Sequence, residues 1–398
     1  MSSPKSATNV PGAATTENPL QALVKLGQSV WLDYIRRDLI TSGELKRLIE
    51  QDGLRGMTSN PSIFEKAIAG SKEYSSFLDS LKAEKGLDAT GLYERLAIRD
   101  IQDAADIMRV VYDRTERRDG YVSLEVSPYL AHKTAETIAE AQRLWKTVGR
   151  KNVMIKVPGT PEGLPAIREL IGIGLNINVT LLFAQEVYRN VALAYIAGLE
   201  DLAARGGDVS GIASVASFFV SRIDTLIDGM LDTRIKSTQN DAERGLLNTL
   251  KGKVAIANAK LAYAMYKELF SGPRWDALAK RGAQTQRLLW ASTSTKNPAY
   301  RDVMYVEELI GADTVDTIPP ATLDAFRDHG KPRASLEEGV AQAGQTMNDL
   351  ATAGISMRQV TDQLTEDGVK QFTEAFDKLL AAVASNAPKT AGDGGAKA

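Results

Sequence analysis

The chain has 398 residues, 43% of them hydrophobic and 25% charged, which is ordinary for a globular protein with a sizeable core. A balance of 48 Lys and Arg against 50 Asp and Glu gives a formal charge of -2 and no sign of a nucleic-acid-binding surface. The lack of cysteine excludes disulfides, thiolate metal sites and cysteine nucleophiles. The two histidines, His132 and His329, argue against a histidine metal cluster or a Ser-His-Asp triad. We therefore expect any chemistry to depend on Lys, Asp, Glu and hydroxyl groups.

The two ends of the chain differ in composition from its middle. Residues 1–17 are small and polar, residues 386–398 are rich in Ala, Gly and Lys, and both are predicted to be disordered tails. Residues 18–385 are predicted to form a single domain. There is no secretory signal pattern and no run of 18 apolar residues, so the sequence predicts a cytoplasmic protein that does not enter a membrane.

Short β-rich runs alternate with longer segments of helical period along the middle of the chain. The predicted strands are Ser29–Ile35, Leu54–Thr58, Tyr121–Val126, Asn152–Gly159, Gly174–Val179, Ile212–Phe219, Arg287–Ser292 and Thr314–Ile318. Three helical segments close the chain, the last at Asp367–Val383. This order predicts the α/β class, as a (β/α)₈ TIM barrel with extra N- and C-terminal helices. A doubly wound sheet is the competing layout, but no Gly-x-Gly-x-x-Gly turn follows any strand.

The fourth predicted strand carries a lysine inside an apolar run. Val153, Ile155 and Val157 alternate with Lys156, so they are predicted to face the helices while Lys156 faces the barrel interior. Burial disfavours a charged ammonium group and lowers its pKa. A neutral lysine can then attack a carbonyl carbon and form a Schiff base. The alternative is a structural lysine that reaches solvent or pairs with a carboxylate.

Other strands place polar side chains on the same inner face. By the same alternation, the inward residues are Asp33, Glu125, Lys156, Asn178 and Thr180, with Asn60 at the end of the second strand. Because these positions lie near the carboxyl ends of strands, where barrel enzymes do their chemistry, they form a candidate catalytic cluster. Structural alternatives remain. Asn60 and Thr180 could cap the helices that follow them, and Glu125 could simply be the salt-bridge partner of Lys156.

Two later segments indicate a phosphate site. Ser217 lies on the sixth strand and Arg222 follows it, while the loop 292–298 after the seventh strand is dense in hydroxyl and amide groups and contains Lys296. In barrels, the loops after strands seven and eight often bind phosphate. A polar loop with one lysine is a weak signal by itself, but together with Arg222 and the inner cluster it favours a phosphorylated substrate.

Several motifs resemble those of the transaldolase family. They are Thr-Ser-Asn-Pro-Ser-Ile-Phe (58–64), Ser-Leu-Glu-Val-Ser-Pro (123–128), Ile-Lys-Val-Pro-Gly-Thr (155–160) and Asn-Ile-Asn-Val-Thr-Leu-Leu-Phe (176–183). Two further segments resemble the long bacterial form, Trp-Ala-Ser-Thr-Ser-Thr-Lys-Asn-Pro (290–298) and Thr-Ile-Pro-Pro-Ala-Thr (317–322). The resemblance runs in order over roughly residues 18–385.

The resemblance implies a class I aldolase-type barrel that works through a lysine Schiff base and needs no cofactor or metal. Such an enzyme moves a dihydroxyacetone unit from sedoheptulose 7-phosphate to glyceraldehyde 3-phosphate. The products are erythrose 4-phosphate and fructose 6-phosphate, and the reaction belongs to the non-oxidative branch of the pentose phosphate pathway.

The matching motifs also imply a role for each candidate residue. Lys156 resembles the Schiff-base lysine, Asp33 the general acid/base for the C4 hydroxyl, and Glu125 and Thr180 the pair that positions water. Asn60, Asn178 and Ser217 resemble residues that hold the dihydroxyacetone part, and Arg222 resembles a phosphate ligand. Shorter transaldolases carry a second phosphate-binding arginine near strand eight, which Thr314–Ile318 lacks. We expect Lys296 to take that role.

Two rival functions remain open on the sequence. One is another Schiff-base aldolase, such as a fructose 6-phosphate or deoxyribose-phosphate aldolase. The other is a non-catalytic barrel that binds sugar phosphate while Lys156 is held by Glu125. The sequence is also compatible with either a monomer or a homodimer.

Overall fold

A computed structural model describes residues 18–68, 72–80 and 87–386 of the chain. These residues form a closed barrel of eight parallel strands that pair in chain order, β8 returning to β1. The strands are β1 Gln28–Asp33, β2 Gly56–Thr58, β3 Tyr121–Glu125, β4 Val153–Pro158, β5 Ile177–Leu182, β6 Ser214–Phe219, β7 Arg287–Ala291 and β8 Thr314–Ile318. The predicted (β/α)₈ barrel is confirmed.

Helices surround the barrel and extend it at both ends. They are α1 Pro19–Lys25, α2 Arg37–Thr41, α3 Glu44–Gln51, α4 Pro61–Ile68, α5 Lys72–Ser80, α6 Ala89–Arg114, α7 Thr134–Val148, α8 Gly163–Gly172, α9 Gln185–Ala204, α10 Ser221–Ser237, α11 Asp241–Leu250, α12 Val254–Leu269, α13 Pro273–Ala279, α14 Met304–Glu308, α15 Pro320–His329, α16 Val340–Thr352 and α17 Met357–Asn386. Short 3₁₀ turns lie at Pro128–Leu130 and Val209–Gly211. Within the described ranges, no helix is long and apolar enough to cross a membrane.

Several helices begin where a side chain satisfies backbone N–H groups that lack an intrahelical partner. The Asn18 carboxamide accepts from the N–H of Leu20 at the start of α1, and Asn240 does the same for the first turn of α11. The C-terminal end of α7 is closed by Gly149, whose φ of 60° is the left-handed conformation that glycine adopts at low cost. These signals are local, which is why the sequence indicates most of the elements.

The fifth strand differs from its prediction at both ends. The turn at Gly174 (φ 96°) and the side-chain bonds of Asn176 to the backbone of Lys151 and Val153 delay its start to Ile177. It then continues to Leu182 through a register shift in which Leu181 adopts a φ of 61°. Because α9 begins only at Gln185, Thr180 lies within the strand and the alternative that it caps a helix is wrong.

The last helix is longer than predicted. α17 runs from Met357 to Asn386, so Asn386 ends this helix and does not begin a tail. The rest of the predicted C-terminal tail, 387–398, and the predicted N-terminal tail, 1–17, lie outside the described residues.

The bottom of the barrel is closed by a buried polar network and a large ring. The carboxylate of Asp119 accepts hydrogen bonds from Ser29, Trp31 and Arg287. Burial by itself would raise the pKa of Asp119, but the Arg287 charge and these bonds outweigh it and hold the pKa below its usual value. The Trp31 ring lies against Gly56, where an added Cβ would come within 2.4 Å of ring carbons. Among the described residues, the Asp119 network and the Trp31 ring therefore fill this end of the barrel.

Gly56→Ala is expected to destabilise the protein by about 1–3 kcal/mol, because the new methyl group overlaps the Trp31 ring in a packed interior. Urea unfolding measures the change. Gly229→Ala on the exposed face of α10 is the matched control, since an added Cβ there meets no atom within 4 Å. It should stabilise the helix by roughly 0.5–1 kcal/mol. Equal stabilities of the two variants would contradict this account of the barrel floor.

Candidate active site

A pocket opens at the carboxyl ends of the strands, with about 130 Å³ of free volume. Seven of the nine predicted site residues line it: Asp33, Asn60, Lys156, Thr180, Ser217, Arg222 and Lys296. The remaining two lie directly behind this wall, Glu125 against Lys156 and Asn178 against Ser217. The structure thus brings all nine residues together at the end of the barrel where such enzymes bind their substrates.

Lys156 lies on the inner face of β4 with only 5% of its surface exposed. Its Nζ donates to the backbone oxygen of Ser59 at 3.1 Å and lies 3.3 Å from Oε2 of Glu125, its registered neighbour on β3. Burial raises the pKa of Glu125, and the Lys156 charge opposes that rise. Lys156 therefore forms the ion pair with Glu125 that a purely structural lysine would form. It also faces the pocket.

Asp33 approaches the same space from β1. Its Oδ1 accepts a 2.6 Å hydrogen bond from the Thr58 hydroxyl, which is itself 2.6 Å from the hydroxyl of Thr317 on β8. Although the carboxyl group has some surface in the pocket, it is deep inside the barrel, and lost hydration raises its pKa. The Thr58 bond and the charges of Lys156 and Arg222 partly offset this effect. A carboxylate with a raised pKa is a stronger proton acceptor than a free one.

Asn60 and Thr180 reach the pocket in different ways. The Asn60 side chain accepts from the N–H of Ile63, so the structural alternative, in which Asn60 caps α4, is confirmed, and Asn60 also lines the pocket. The Thr180 hydroxyl is buried on β5 and has no hydrogen-bond partner among the described residues. A polar group left unpaired in this way is costly unless a water or a ligand completes it.

A short hydrogen-bond chain supports one wall. Ser217 on β6 donates to Oδ1 of Asn178 at 2.7 Å, and Nδ2 of Asn178 donates to the Ser123 hydroxyl at 3.0 Å. Asn178 is fully buried, and both its oxygen and its nitrogen take part in these bonds. It therefore lies behind Ser217 and holds the Ser217 hydroxyl, whose oxygen lines the pocket while its hydrogen is directed to Asn178.

Two positively charged side chains lie at the mouth of the pocket. The Arg222 guanidinium, at the start of α10, lies 5.2 Å from the Phe219 ring centre, and burial lowers its pKa. Much of the Lys296 side chain is exposed, but its ammonium group is at the mouth and donates to Ser294 at 2.5 Å. Lost hydration lowers the pKa of Lys296, the nearby charge of Arg222 lowers it further, and the charge of Asp33 partly opposes this shift. Within the described ranges, neither Arg222 nor Lys296 has a carboxylate at ion-pair distance, so this end favours an anion.

Several pocket residues are not among the nine predicted site residues. Ser292 and Ser294 belong to the loop 292–298, which the sequence indicates as a phosphate-binding segment, whereas Thr58, Phe219, Thr317 and Phe372 are not predicted individually. Thr58 and Thr317 have the inward alternation that identified Asp33, since they pair in register with Asp33 and Trp31. That signal was available. Phe372, in contrast, comes from α17, more than two hundred residues after Lys156 in the chain, and no local pattern indicates that it reaches the pocket.

A buried acid anchors the loop that carries Ser294 and Lys296. Asp316 on β8 accepts a 3.0 Å hydrogen bond from the Thr293 hydroxyl, and its other oxygen has no partner among the described residues. Burial raises the pKa of Asp316 to about 8. The neutral acid is thus favoured near pH 7, where it holds the base of the loop without adding negative charge behind an anion-binding mouth.

A closed parallel barrel with a lysine-centred pocket at its C-terminal face places the molecule in the class of (β/α)₈-barrel enzymes. The family model Transaldolase/Fructose-6-phosphate aldolase matches residues 30–383. The chain belongs to that family.

Curated relatives match over nearly their whole length. A transaldolase from Trichodesmium erythraeum is 50% identical over 366 residues, which is 91% of this chain and 96% of that protein. A transaldolase from Thiobacillus denitrificans is 46% identical over 90% of this chain and 98% of its own. Transaldolase 1 of Streptomyces coelicolor is 46% identical over 96% and 98%, respectively.

Asp316→Asn should change how stability depends on pH. The folded-state pKa of about 8 lies above the ordinary value of 3.8, so the unfolded state loses its proton first and stability falls as pH rises between these values. The amide keeps the oxygen that accepts from Thr293 and cannot ionise. The stability of the variant relative to the unmodified protein should therefore rise with pH, by up to about 1.4 kcal/mol per pH unit between the two pKa values of Asp316.

Urea unfolding of both proteins at pH 4, 6 and 8 measures this difference. Parallel stability curves would show that Asp316 does not titrate with a raised pKa in the folded state.

Proposed function

We propose that the protein is a transaldolase that carries a dihydroxyacetone unit as a Schiff base on Lys156. The donor is sedoheptulose 7-phosphate, the acceptor is glyceraldehyde 3-phosphate, and the products are erythrose 4-phosphate and fructose 6-phosphate. The same assignment places the reaction in the cytoplasmic, non-oxidative branch of the pentose phosphate pathway. The observation that carries the proposal is a buried lysine that faces the pocket between two carboxyl groups, Glu125 and Asp33.

The first step is imine formation. The neutral amine of Lys156 adds to the C2 carbonyl of the donor, and the resulting carbinolamine loses water to give a protonated imine. Glu125 is 3.3 Å from Nζ and can take the ammonium proton and return one to the departing oxygen. The Thr180 hydroxyl, which has no partner within the described part of the chain, supplies a second hydrogen-bonding group for that water. Glu125 and Thr180 thus support the predicted water-positioning pair.

Asp33 supports the second step, cleavage of the C3–C4 bond. It accepts the proton of the C4 hydroxyl, the C4 carbon becomes the aldehyde of the released product, and the bonding electrons pass to the imine nitrogen to leave an enamine. The Thr58 hydrogen bond fixes the carboxylate and leaves one oxygen for the substrate. Addition of the enamine to the acceptor aldehyde reverses these movements, and hydrolysis of the new imine frees Lys156.

The mouth of the pocket supports recognition of a phosphate. Arg222 and Lys296 have no carboxylate partner among the described residues, and the Ser292 and Ser294 hydroxyls lie beside them. With the phosphate held there, the carbonyl end of an extended sugar points down the pocket toward Lys156. Ser217 and Asn60 line the wall along which the dihydroxyacetone part would lie. Asn178 contributes by holding Ser217.

Simple cleavage of fructose 6-phosphate is the nearest alternative, since the family includes aldolases of that kind. Product analysis with and without an acceptor aldehyde separates the two activities. A transaldolase gives little free dihydroxyacetone in either case, whereas an aldolase gives it stoichiometrically with glyceraldehyde 3-phosphate.

Borohydride reduction in the presence of fructose 6-phosphate should attach a reduced adduct to the peptide that contains Lys156. Lys156→Arg keeps a cation beside Glu125 but cannot form the imine, so it should lose the adduct and at least about 1,000-fold in transfer rate. Peptide mass spectrometry locates the adduct. If the folded protein without substitutions gives no adduct on this peptide, the covalent mechanism is wrong, and a non-catalytic sugar-phosphate-binding barrel is favoured.

Arg222→Gln and Lys296→Gln should raise KM for phosphorylated donors by about 10–100-fold each, the cost of losing one charge-assisted hydrogen bond. Steady-state kinetics with fructose 6-phosphate and with unphosphorylated fructose provide the test, because the second substrate should be much less affected. Lys253→Gln, on an exposed lysine outside the pocket, is the control for a change in total charge. Equal losses on both substrates would contradict a phosphate role.

A further inference from the structure

The last helix of the chain reaches the active-site pocket. α17 packs against α4, α6, α10 and β5 and so crosses the end of the barrel where the pocket opens. One of its side chains, Phe372, lines the pocket, and the centre of its ring is 5.9 Å from Nζ of Lys156. The ring is 6% exposed. A C-terminal segment thus forms part of the wall around a lysine on the fourth strand.

Close packing on the same face of α17 holds Phe372 in place. Four residues before it, Gly368 lies so near Leu181 that an added Cβ would be 2.8 Å from the leucine side chain. Four residues after it, Phe376 makes edge contacts with the rings of Tyr93 and Tyr129. Residues four apart share a helix face. The ring is therefore fixed from both sides and has little freedom to move out of the pocket.

Phe372 differs chemically from the polar residues that line the pocket with Lys156. Asp33, Asn60, Thr180 and Ser217 can all form hydrogen bonds, and each can hold a water molecule. A phenyl ring can neither donate nor hold a proton for transfer to carbon. It also occupies volume that water would otherwise fill, and it offers its π face or edge to a cationic imine at the outer limit of useful distance.

This matters for the covalent intermediate of the proposed reaction. After the first product leaves, the enamine on Lys156 must wait for an acceptor aldehyde. If a proton reaches C3, the enamine becomes an iminium ion. Water then adds to C2, the C–N bond breaks with its electrons returning to nitrogen, and dihydroxyacetone and the free amine result. A wall that excludes water and proton donors therefore favours transfer over hydrolysis.

We propose that Phe372 covers the Lys156 adduct and sets the ratio of transfer to hydrolysis. The inference rests on the proposed function, because it concerns the fate of the intermediate on the same lysine. The C-terminal helix is on this account part of the active site.

The test compares variants at two positions of α17. Phe372→Ala should increase free dihydroxyacetone per transferred unit at least about fivefold, because water and proton donors enter the space left by the ring. Phe372→Tyr keeps the ring and its packing but brings in a hydroxyl group, so it should also raise this ratio. Val383→Ala is the matched control, since it shortens a fully buried side chain of the same helix that does not line the pocket.

Each protein is incubated with fructose 6-phosphate and erythrose 4-phosphate, and free dihydroxyacetone and sedoheptulose 7-phosphate are both measured. Increases for Phe372→Ala and Phe372→Tyr with an unchanged ratio for Val383→Ala support the proposal. An unchanged ratio for folded Phe372→Tyr would overturn it. Equal increases at Phe372 and Val383 would also overturn it and would indicate general loosening of the helix.

Borohydride trapping on the unmodified protein separates the two levels of inference. If Lys156 forms the adduct but the Phe372 variants leave the ratio of hydrolysis to transfer unchanged, only the proposed role of the ring is wrong. If no adduct forms, the proposed function itself is wrong. Phe372→Tyr keeps the test decisive if Phe372→Ala does not fold.

Discussion

The pairing of Lys156 with Glu125 inside the barrel is the constraint around which the upper half of the molecule is arranged. Neither charge is stable alone in a buried site, and the register of β3 and β4 places them side by side at 3.3 Å. The opposite end of the barrel is filled by the Trp31 ring, which packs against Gly56, and by the Asp119–Arg287 network. Lys156 is then reached through the pocket at the face where the strands end. A buried charge pair is thus converted into a site with a defined direction of approach.

Differences in environment separate the roles of groups that the sequence alone does not distinguish. Glu125 is held against the amine, whereas Asp33 is held by a threonine hydroxyl and keeps an oxygen open to the pocket. Two carboxyl groups in unlike surroundings can serve proton transfer at different atoms of one substrate. In the proposed function, Arg222 and Lys296 at the mouth anchor the phosphate of the ligand, and the apolar ring of α17 excludes water from the other end of the pocket.

Local sequence patterns predict the barrel because the order of apolar and polar residues in each element reflects which of its faces is buried. β8 begins and ends as predicted, and β3 differs by a single residue, since both are short apolar or β-branched runs between clear turns. β5 was misplaced because its start depends on the side-chain bonds of Asn176 to a neighbouring strand and its end on a left-handed residue, Leu181. Those contacts join segments that are distant in the chain, and no short window of sequence contains them.

The sequence by itself determined the fold class, the inward set around Lys156 and the family motifs, because side-chain alternation in a strand and the order of strands are properties of a linear pattern. Only the tertiary structure decided how those residues are used. It showed that Asn178 is behind Ser217 and not on the pocket surface, and that a raised pKa at Asp316 lies beneath the loop of Lys296. It also brought Phe372 over the lysine. The physical reason is the same in each case: burial and hydrogen bonding depend on which distant elements close around a side chain, and closure of the barrel sets that.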